Sequence, residues 1–270
     1  MIRRAARVLV ASSLCLSACQ TAEELPVIDI GLGNYFYHGP DTIPAGRVSF
    51  RLHLTGPDGH VMDVVRLEGG KTIKDVLAAG IGVRDSAWVV RLGGGMSGPE
   101  SSTPVYTATL TPGRYVLLCY FRDPDHLPHW VKGMIKQVIV TPSRRGAPAT
   151  TPDLEVRMVD YAFQLSAPVK AGLRTIAVIN PSVNPHEMIV ARLKEGQQLA
   201  EALADPDYGH PTLQSPWQMI GGVGDLHPGD TIFMSASFPA GTYQLTCYFG
   251  TRGDSMSHFM RGMHQVFTVN

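Results

Sequence analysis

The segment Gly113-Arg-Tyr-Val-Leu-Leu-Cys119-Tyr-Phe121 recurs in the second half of the chain as Gly241-Thr-Tyr-Gln-Leu-Thr-Cys247-Tyr-Phe249. Each copy begins at the glycine of a Pro-Gly or Ala-Gly turn and is rich in apolar and aromatic residues, which is typical of a buried β-strand. The pattern therefore predicts the same strand twice, over residues 115–121 and 243–249.

The repeat extends through most of the chain. Residues 60–70 correspond to residues 186–196, and residues 129–134 correspond to residues 258–263, at offsets between 126 and 129 residues. A fixed period of this length indicates that one structural unit is present twice.

Each half contains many short strand-like segments bounded by Gly and Pro, which predicts an all-β fold of two antiparallel sandwiches in tandem. Residues 71–79 and 197–204 have helical composition, so we expect one short helix in each domain. The predicted domains are residues 24–142 and 153–270, and residues 143–152 form a linker rich in small residues and proline.

The first 18 residues have the pattern of an export signal, with three arginines before a short apolar run and small residues at its end. The tetrad Leu16-Ser17-Ala18-Cys19 resembles the lipobox of bacterial lipoproteins. This resemblance implies cleavage before Cys19 and a lipid on that cysteine; the alternative is an ordinary secretory signal cut nearby. We therefore expect a protein of the bacterial cell envelope, anchored to a membrane and facing the periplasm or the exterior.

Composition narrows the possible partners. The 270 residues include 23 Lys+Arg and 23 Asp+Glu, so the formal net charge is zero, and 44% of the residues are hydrophobic. Recognition of nucleic-acid phosphates requires clustered cations, so this balance argues against a nucleic-acid partner. No apolar run of about 18 residues follows the N-terminal segment, so no spanning helix is expected.

Each half holds one set of possible metal ligands in the same order: a histidine, a long gap, and then Cys, His and Met close together. The sets are His60, Cys119, His129 and Met134, and His186, Cys247, His258 and Met263. Two imidazoles, a thiolate and a distant thioether suit a blue-copper centre, since the sulfur ligands hold Cu(I) and the imidazoles also bind Cu(II). We expect one end of each sandwich to bring the four residues together.

On these motifs the chain resembles the cupredoxin family, the plastocyanin and azurin type of copper protein, over nearly the whole of both halves. The resemblance implies a Greek-key sandwich in each half, one type 1 copper per competent domain, and ligand roles for the eight residues above. Asn184-Pro185-His186 looks like the family's usual approach to the first ligand, whereas Asp58-Gly59-His60 does not. Copper is therefore expected more strongly in the second domain.

The neighbours of each cysteine argue against an enzyme. Multicopper oxidases and copper nitrite reductases connect the type 1 site to a catalytic copper through a His beside the ligand Cys. Here Leu118 and Tyr120 flank one cysteine, Thr246 and Tyr248 flank the other, and the sequence contains no His-x-His pair. We therefore expect a one-electron carrier whose redox partner is a protein such as a cytochrome.

The sequence leaves several alternatives open. Extra methionines near His258 and a lipid anchor also suit a protein that stores or delivers copper. A metal-free interaction module is a further alternative, in which Cys119 and Cys247 are buried thiols or form a disulfide. In the first half His126 shares the loop of Cys119, but His129 is preferred because its position matches the second repeat.

Overall fold

The computed structural model describes residues 24–99, 101–143, 148–204, 215–250 and 256–270. The predicted export signal, Cys19 and residues 144–147 of the predicted linker lie outside these ranges. Within them, none of the helices has the length and apolar character needed to cross a bilayer.

The described residues form strands with short turns, as the pattern predicts. In chain order the strands are Val27–Gly33 (β1), Phe36–His38 (β2), Thr42–Pro44 (β3), Gly46–Leu54 (β4), His60–Leu67 (β5), Val89–Ser97 (β6), Val105–Leu110 (β7), Gly113–Leu118 (β8), Ile135–Thr141 (β9), Leu154–Val159 (β10), Ala162–Leu165 (β11), Gly172–Ile179 (β12), His186–Leu193 (β13), Trp217–Leu226 (β14), Thr231–Phe238 (β15), Gly241–Thr246 (β16) and His264–Val269 (β17). The helices are Ile73–Ala79 (α1) and Leu199–Leu203 (α2), with 3₁₀ turns at Gly80–Asp85 and Phe259–Arg261.

Two sheets enclose the core. The smaller has the order β11-β10-β12-β15-β7-β4-β1-β2, and the larger has the order β17-β16-β13-β14-β6-β5-β8-β9-β3. In each half the first strand pairs in parallel with a later one, β1 with β4 and β10 with β12. One continuous apolar cluster runs through both halves and includes Phe50, Tyr106, Phe238 and Tyr243. The all-β sandwich predicted from the sequence is confirmed.

The halves share both sheets, a feature that the repeat alone does not reveal. Strand β6 pairs antiparallel with β14, and β7 pairs antiparallel with β15. The central pairs are Gly95 opposite Val223 and Tyr106 opposite Met234. Since the two members of each pair occupy equivalent repeat positions, the halves are related by a pseudo-twofold axis. We call this junction of β6, β7, β14 and β15 the seam.

Glycine and a buried tyrosine make the seam possible. A Cβ on Gly95 would lie 2.0 Å from the ring of Tyr106, so only glycine fits against that ring. The Tyr106 hydroxyl donates to the carbonyl of Met96 at 2.6 Å and accepts the N–H of Gly222 at 3.3 Å. Pairing at the seam also covers edges that would otherwise expose unpaired backbone groups.

A buried ion-pair cluster lies against the same junction. Asp225 of β14 accepts from Arg91 of β6 at 2.7 Å and from Arg84 at 2.9 Å, and its side chain is 1% exposed. Asp63 of β5 is also buried, and burial followed by the charge of Asp225 raises the pKa of the Asp63 carboxyl well above its usual value. These contacts join the two halves by charge as well as by backbone pairing.

Candidate metal centres

The loop after β8 is fixed by main-chain hydrogen bonds around Cys119. The N–H of Cys119 donates to the carbonyl of Met134 at 3.2 Å, and the Cys119 carbonyl accepts from Trp130 at 2.9 Å. The N–H of His129 donates to Phe121 at 2.8 Å. Because the backbone of Cys119 bonds to this loop, β8 ends at Leu118, three residues before the predicted end of the strand.

The second half builds the same loop from equivalent residues. The N–H of Cys247 donates to Met263 at 3.2 Å, and that of Met263 donates to His258 at 2.9 Å. The N–H of His258 bonds to Phe249 at 2.6 Å. Both loops therefore place a cysteine, a histidine and a methionine side by side.

The fourth residue of each set comes from a neighbouring strand. His60 is the first residue of β5, which pairs with β8, and His186 is the first residue of β13, which pairs with β16. Each histidine therefore reaches the cysteine across one strand spacing, although 59 and 61 residues separate the two in sequence.

The three donor atoms of the first site converge in the interior. Cys119 Sγ lies 3.9 Å from His60 Nδ1 and 3.5 Å from His129 Nδ1, and the two Nδ1 atoms are 3.2 Å apart. These three side chains are buried.

The second site has nearly the same dimensions. Cys247 Sγ lies 3.8 Å from His186 Nδ1 and 3.5 Å from His258 Nδ1, with 2.9 Å between the nitrogens. All three residues are buried here as well.

These triangles fit one small metal ion each. With a metal–nitrogen bond of about 2.0 Å and a metal–sulfur bond of about 2.3 Å, a trigonal arrangement separates nitrogen from sulfur by about 3.7 Å and the nitrogens by about 3.5 Å. The observed separations are close to these values. Two imidazoles and a thiolate in a trigonal plane are the donors of a type 1 copper site, so the residues present fit copper.

The two methionines lie beside their cysteines. Met134 and Met263 are fully buried, and the carbonyl of each accepts the N–H of the ligand cysteine. These main-chain contacts bring both methionines next to the ligand cysteines, and the resemblance to cupredoxins implies that their thioethers are the weak axial ligands.

The structure superposes on solved copper proteins at low identity. Auracyanin from the photosynthetic bacterium Roseiflexus castenholzii is 21% identical, with a TM-score of 0.31 over 43% of this chain and 94% of that one. Auracyanin A from Chloroflexus aurantiacus, described as a "blue" copper protein, is 24% identical, with a TM-score of 0.29 over 43% and 99%. Blue copper oxidase from Nitrosomonas europaea is 13% identical, with a TM-score of 0.24 over 92% and 86%. No protein-family profile matches the sequence, and neither does any curated protein.

The strand order and the donor sets of this chain identify its fold. In each half, strands of both sheets enclose the core, one strand begins at a histidine, and another is followed directly by a cysteine that bonds to a His-Met loop. Both halves have the cupredoxin fold. The six predicted histidine and cysteine ligands converge at these two cupredoxin centres, and Met134 and Met263 join the same loops through their main chain.

A carboxylate orients one histidine in each cupredoxin centre. In the first, Asp123 lies 3.2 Å from His129 Nε2; in the second, Asp160 lies 3.1 Å from His186 Nε2. Such a contact fixes the ring tautomer, with Nε2 carrying the proton and Nδ1 free for a metal. The sequence comparison missed both acids, because Asp123 supports the second histidine of its set and Asp160 supports the first.

A tyrosine in an unusual backbone conformation packs against each cupredoxin centre. Tyr35 and Tyr161 have φ values of 65° and 63°, in the left-handed region that L-residues rarely adopt. Tyr35 contacts the ring of His129 edge-on at 5.4 Å, and Tyr161 contacts His258 at 5.1 Å. The two tyrosines occupy equivalent positions in the repeat, and this correspondence was the available sequence signal for their role.

Burial favours the neutral form of the cysteine thiols and of one histidine in each site when no metal is bound. Burial raises the pKa of the Cys119 thiol to about 12 and raises that of the Cys247 thiol as well. Burial, followed by the charge of the neighbouring histidine, lowers the pKa of His60 and of His258 to about 4. At neutral pH each metal-free site therefore presents a thiol and at least one uncharged imidazole, that of His60 in the first site and that of His258 in the second.

The structure also resolves two sequence alternatives. Cys119 and Cys247 are both free and buried, so they do not form a disulfide. His126 is exposed, and only His129 of that loop directs a ring nitrogen to the Cys119 sulfur among the described residues. Trp130, which follows His129, is 4% exposed and packs in an apolar cluster.

Proposed function

We propose that this protein carries single electrons in the bacterial cell envelope through a type 1 copper centre in each half. The observation that carries the proposal is the pair of buried His-Cys-His groups, one in each repeat, whose donor atoms lie within 4.8 Å of one another. Bound copper supplies a reversible change between Cu(I) and Cu(II). The residues of the chain supply a site that suits both states.

Three features of the chain favour electron transfer at these sites. The main-chain hydrogen bonds of each Cys-His-Met loop hold the donors in place, so a change of charge requires little rearrangement. Burial of the Cys119 and Cys247 side chains keeps water and larger oxidants from the sulfur atoms. A backbone N–H also donates to each sulfur, from Val61 at 3.5 Å and from Glu187 at 3.4 Å, and such bonds tune the potential.

The proposal is for a carrier and not an enzyme. No histidine stands beside either cysteine, so neither centre has the sequence link to a catalytic copper.

We also propose where the protein lies and what kind of partner it meets. An anchor at Cys19 keeps the chain at a membrane, and a cytochrome is the kind of partner that exchanges single electrons there. Val183 and Met260 lie near ligands in the chain and are 82% and 64% exposed, which suits transient docking of a protein.

Copper titration of the full chain tests the proposal. We expect an intense visible thiolate-to-copper band that saturates at two copper ions per chain. Cys119→Ser should remove the contribution of one site and Cys247→Ser that of the other. His126→Ala is the matched control, since this histidine shares the first loop but not the site, and it should leave the band unchanged. If the copper-loaded protein is colourless and neither cysteine variant changes its copper content, the assignment of type 1 copper centres is refuted.

A copper-handling role is the second candidate, and one observation favours it. Met256 and Met260 lie on either side of His258 in the chain and are 38% and 64% exposed, so soft thioether donors stand outside the buried centre. A carrier should exchange electrons reversibly with a reduced cytochrome while retaining its copper. A delivery protein should instead lose Cu(I) to a competing chelator, and Met256→Ala with Met260→Ala should slow that loss.

A further inference from the structure

A hydrogen bond crosses from the first metal centre to the second. Tyr120 follows the ligand Cys119 in the chain, and Glu187 follows the ligand His186. The Tyr120 hydroxyl donates to Glu187 Oε2 at 3.1 Å, although 67 residues separate the two. The Tyr120 side chain lies against Gly224 of β14, where a Cβ would come within 2.9 Å of the hydroxyl oxygen. The tyrosine therefore reaches over the seam.

Glu187 makes two contacts at the far end of this link. Its own N–H donates to the Cys247 sulfur at 3.4 Å, and its Oε1 accepts the N–H of Tyr248 at 2.9 Å. The residue is 4% exposed. One glutamate thus touches the sulfur of the second centre through its backbone and the residue beside Cys119 through its side chain.

Packing alone does not account for a glutamate at this position. The equivalent residue of the first repeat is Val61, which is fully buried. Burying a carboxyl group costs free energy that hydrogen bonds only offset, whereas valine fills the same place in the fold without that cost. Because the first half has Val61 in place of Glu187, there is one such link, from Tyr120 to the second centre, and Tyr248 has no equivalent glutamate to bond to in the first half.

The link also matters because of the distance between the centres. The histidine-bearing strands β5 and β13 are three strand spacings apart, or about 14 Å, and the ligand cysteines follow β8 and β16, which lie one strand further out on each side, about 24 Å apart. Electron tunnelling falls off more steeply through empty space than along covalent and hydrogen bonds. The route from Cys119 through Tyr120 and Glu187 to the Cys247 sulfur consists of covalent bonds and two hydrogen bonds.

We propose that Tyr120 and Glu187 form an internal bridge that passes single electrons between the two copper centres. This inference rests on the proposed function. In the step, Cu(I) at one centre becomes Cu(II) while Cu(II) at the other becomes Cu(I), so no external oxidant or reductant is consumed. The bridging hydroxyl keeps its proton. The chain then holds up to two electrons and can receive an electron at one centre and release it from the other.

The test uses the full chain with copper in both centres. Less than one electron per chain is delivered by pulse radiolysis, and the visible bands of the two centres, assigned with the Cys119→Ser and Cys247→Ser variants, are followed in time. Freeze-quenched samples report the same redistribution by electron paramagnetic resonance. We expect a phase in which one band recovers as the other bleaches, at a rate independent of protein concentration. Tyr120→Phe and Glu187→Val should lose this phase and keep both bands.

Tyr106→Phe is the matched control, because it also removes a buried tyrosine hydroxyl that bonds across the seam but lies beside no ligand. It should retain the phase. In the metal-free protein, nuclear magnetic resonance gives a second readout: Tyr120→Phe should shift the amide resonances of Cys247 and Tyr248, and Tyr106→Phe should shift them less.

The outcomes separate the bridge from the proposed function. The bridge is overturned if both centres are coloured but show no electron exchange at a rate independent of concentration. It is also overturned if that exchange survives both Tyr120→Phe and Glu187→Val. Either result leaves the electron-carrier proposal standing. Unshifted amides in the metal-free Tyr120→Phe variant would also overturn it. A chain that binds no copper would overturn both.

Discussion

Removing the carboxylate of Asp225 should destabilise the whole chain, because this group joins the halves. Its side chain is 1% exposed and bonds to Arg91 and Arg84 at 2.7 and 2.9 Å. Breaking a buried ion pair by removing one partner costs about 3–5 kcal/mol, since the remaining charge stays buried. Arg84 is 38% exposed and recovers part of its hydration. We therefore expect Asp225→Asn to lower the free energy of unfolding by about 3 kcal/mol, at the lower end of that range.

Asp63 allows the same reasoning to be tested a second time. Burial, followed by the charge of Asp225, raises the pKa of the Asp63 carboxyl well above its usual value and so favours the protonated form. Once Asp225 is neutralised, Asp63 can ionise and pair with the arginines. The double variant with Asp63→Asn should therefore lose more than the two single variants together, by about 0.5–3 kcal/mol of coupling.

Urea unfolding of the metal-free chain, followed by tryptophan fluorescence, measures these losses. Asp29→Asn is the control, because Asp29 is 57% exposed and pairs with Arg51 at 3.4 Å on the surface. Its removal should cost less than about 1 kcal/mol. If Asp225→Asn costs no more than Asp29→Asn, the ion-pair cluster does not stabilise the seam and the reasoning is wrong.

Three further predictions concern the centres and the seam. Asp160→Asn should weaken copper binding about 10–100-fold at the second centre only, because His186 loses the carboxylate that orients it. A competition titration measures the affinity of each centre, and equal weakening at both would contradict this prediction. Copper uptake at the first site should release about one proton, from the Cys119 thiol. The apparent copper affinity should therefore rise about tenfold per pH unit from above the His60 pKa of about 4 towards the Cys119 pKa of about 12. Calorimetry in buffers of different ionisation enthalpy counts the released protons, and an affinity that does not change with pH would exclude this mechanism. Gly95→Ala should lower the free energy of unfolding by about 1–3 kcal/mol, because the Cβ of the alanine meets the ring of Tyr106. If the variant unfolds like the unaltered chain, the strands of the seam move apart freely at this position.

Comparison of the two repeats predicted the parts of the molecule that are duplicated. The ligand residues recur at nearly constant offsets, and so do the strands on which they lie, so the all-β fold and both donor sets could be proposed without coordinates. The strand that carries Tyr115, predicted to continue to Phe121, ends instead at Leu118. Strand ends depend on hydrogen bonds to loops, which local composition does not encode.

The same comparison could not find residues that differ between the halves. Asp123 and Asp160 support different members of their ligand sets, and Glu187 stands where the first repeat has Val61. The seam was missed for another reason. Pairing of β6 with β14 depends on which edges are left open in three dimensions, and the glycines that permit it, such as Gly95, read in sequence only as turn or bulge signals.

The junction between the repeats also suggests how such a chain arose. Equivalent strands meet across it in equivalent register, Tyr106 opposite Met234 and Gly95 opposite Val223, as they do in the isologous interface of a symmetric homodimer. A single-domain ancestor could have assembled as a pair through these edges before gene fusion made the association permanent. In a single chain the two halves can differ at equivalent positions, and Glu187 opposite Val61 is such a difference, which no symmetric homodimer contains.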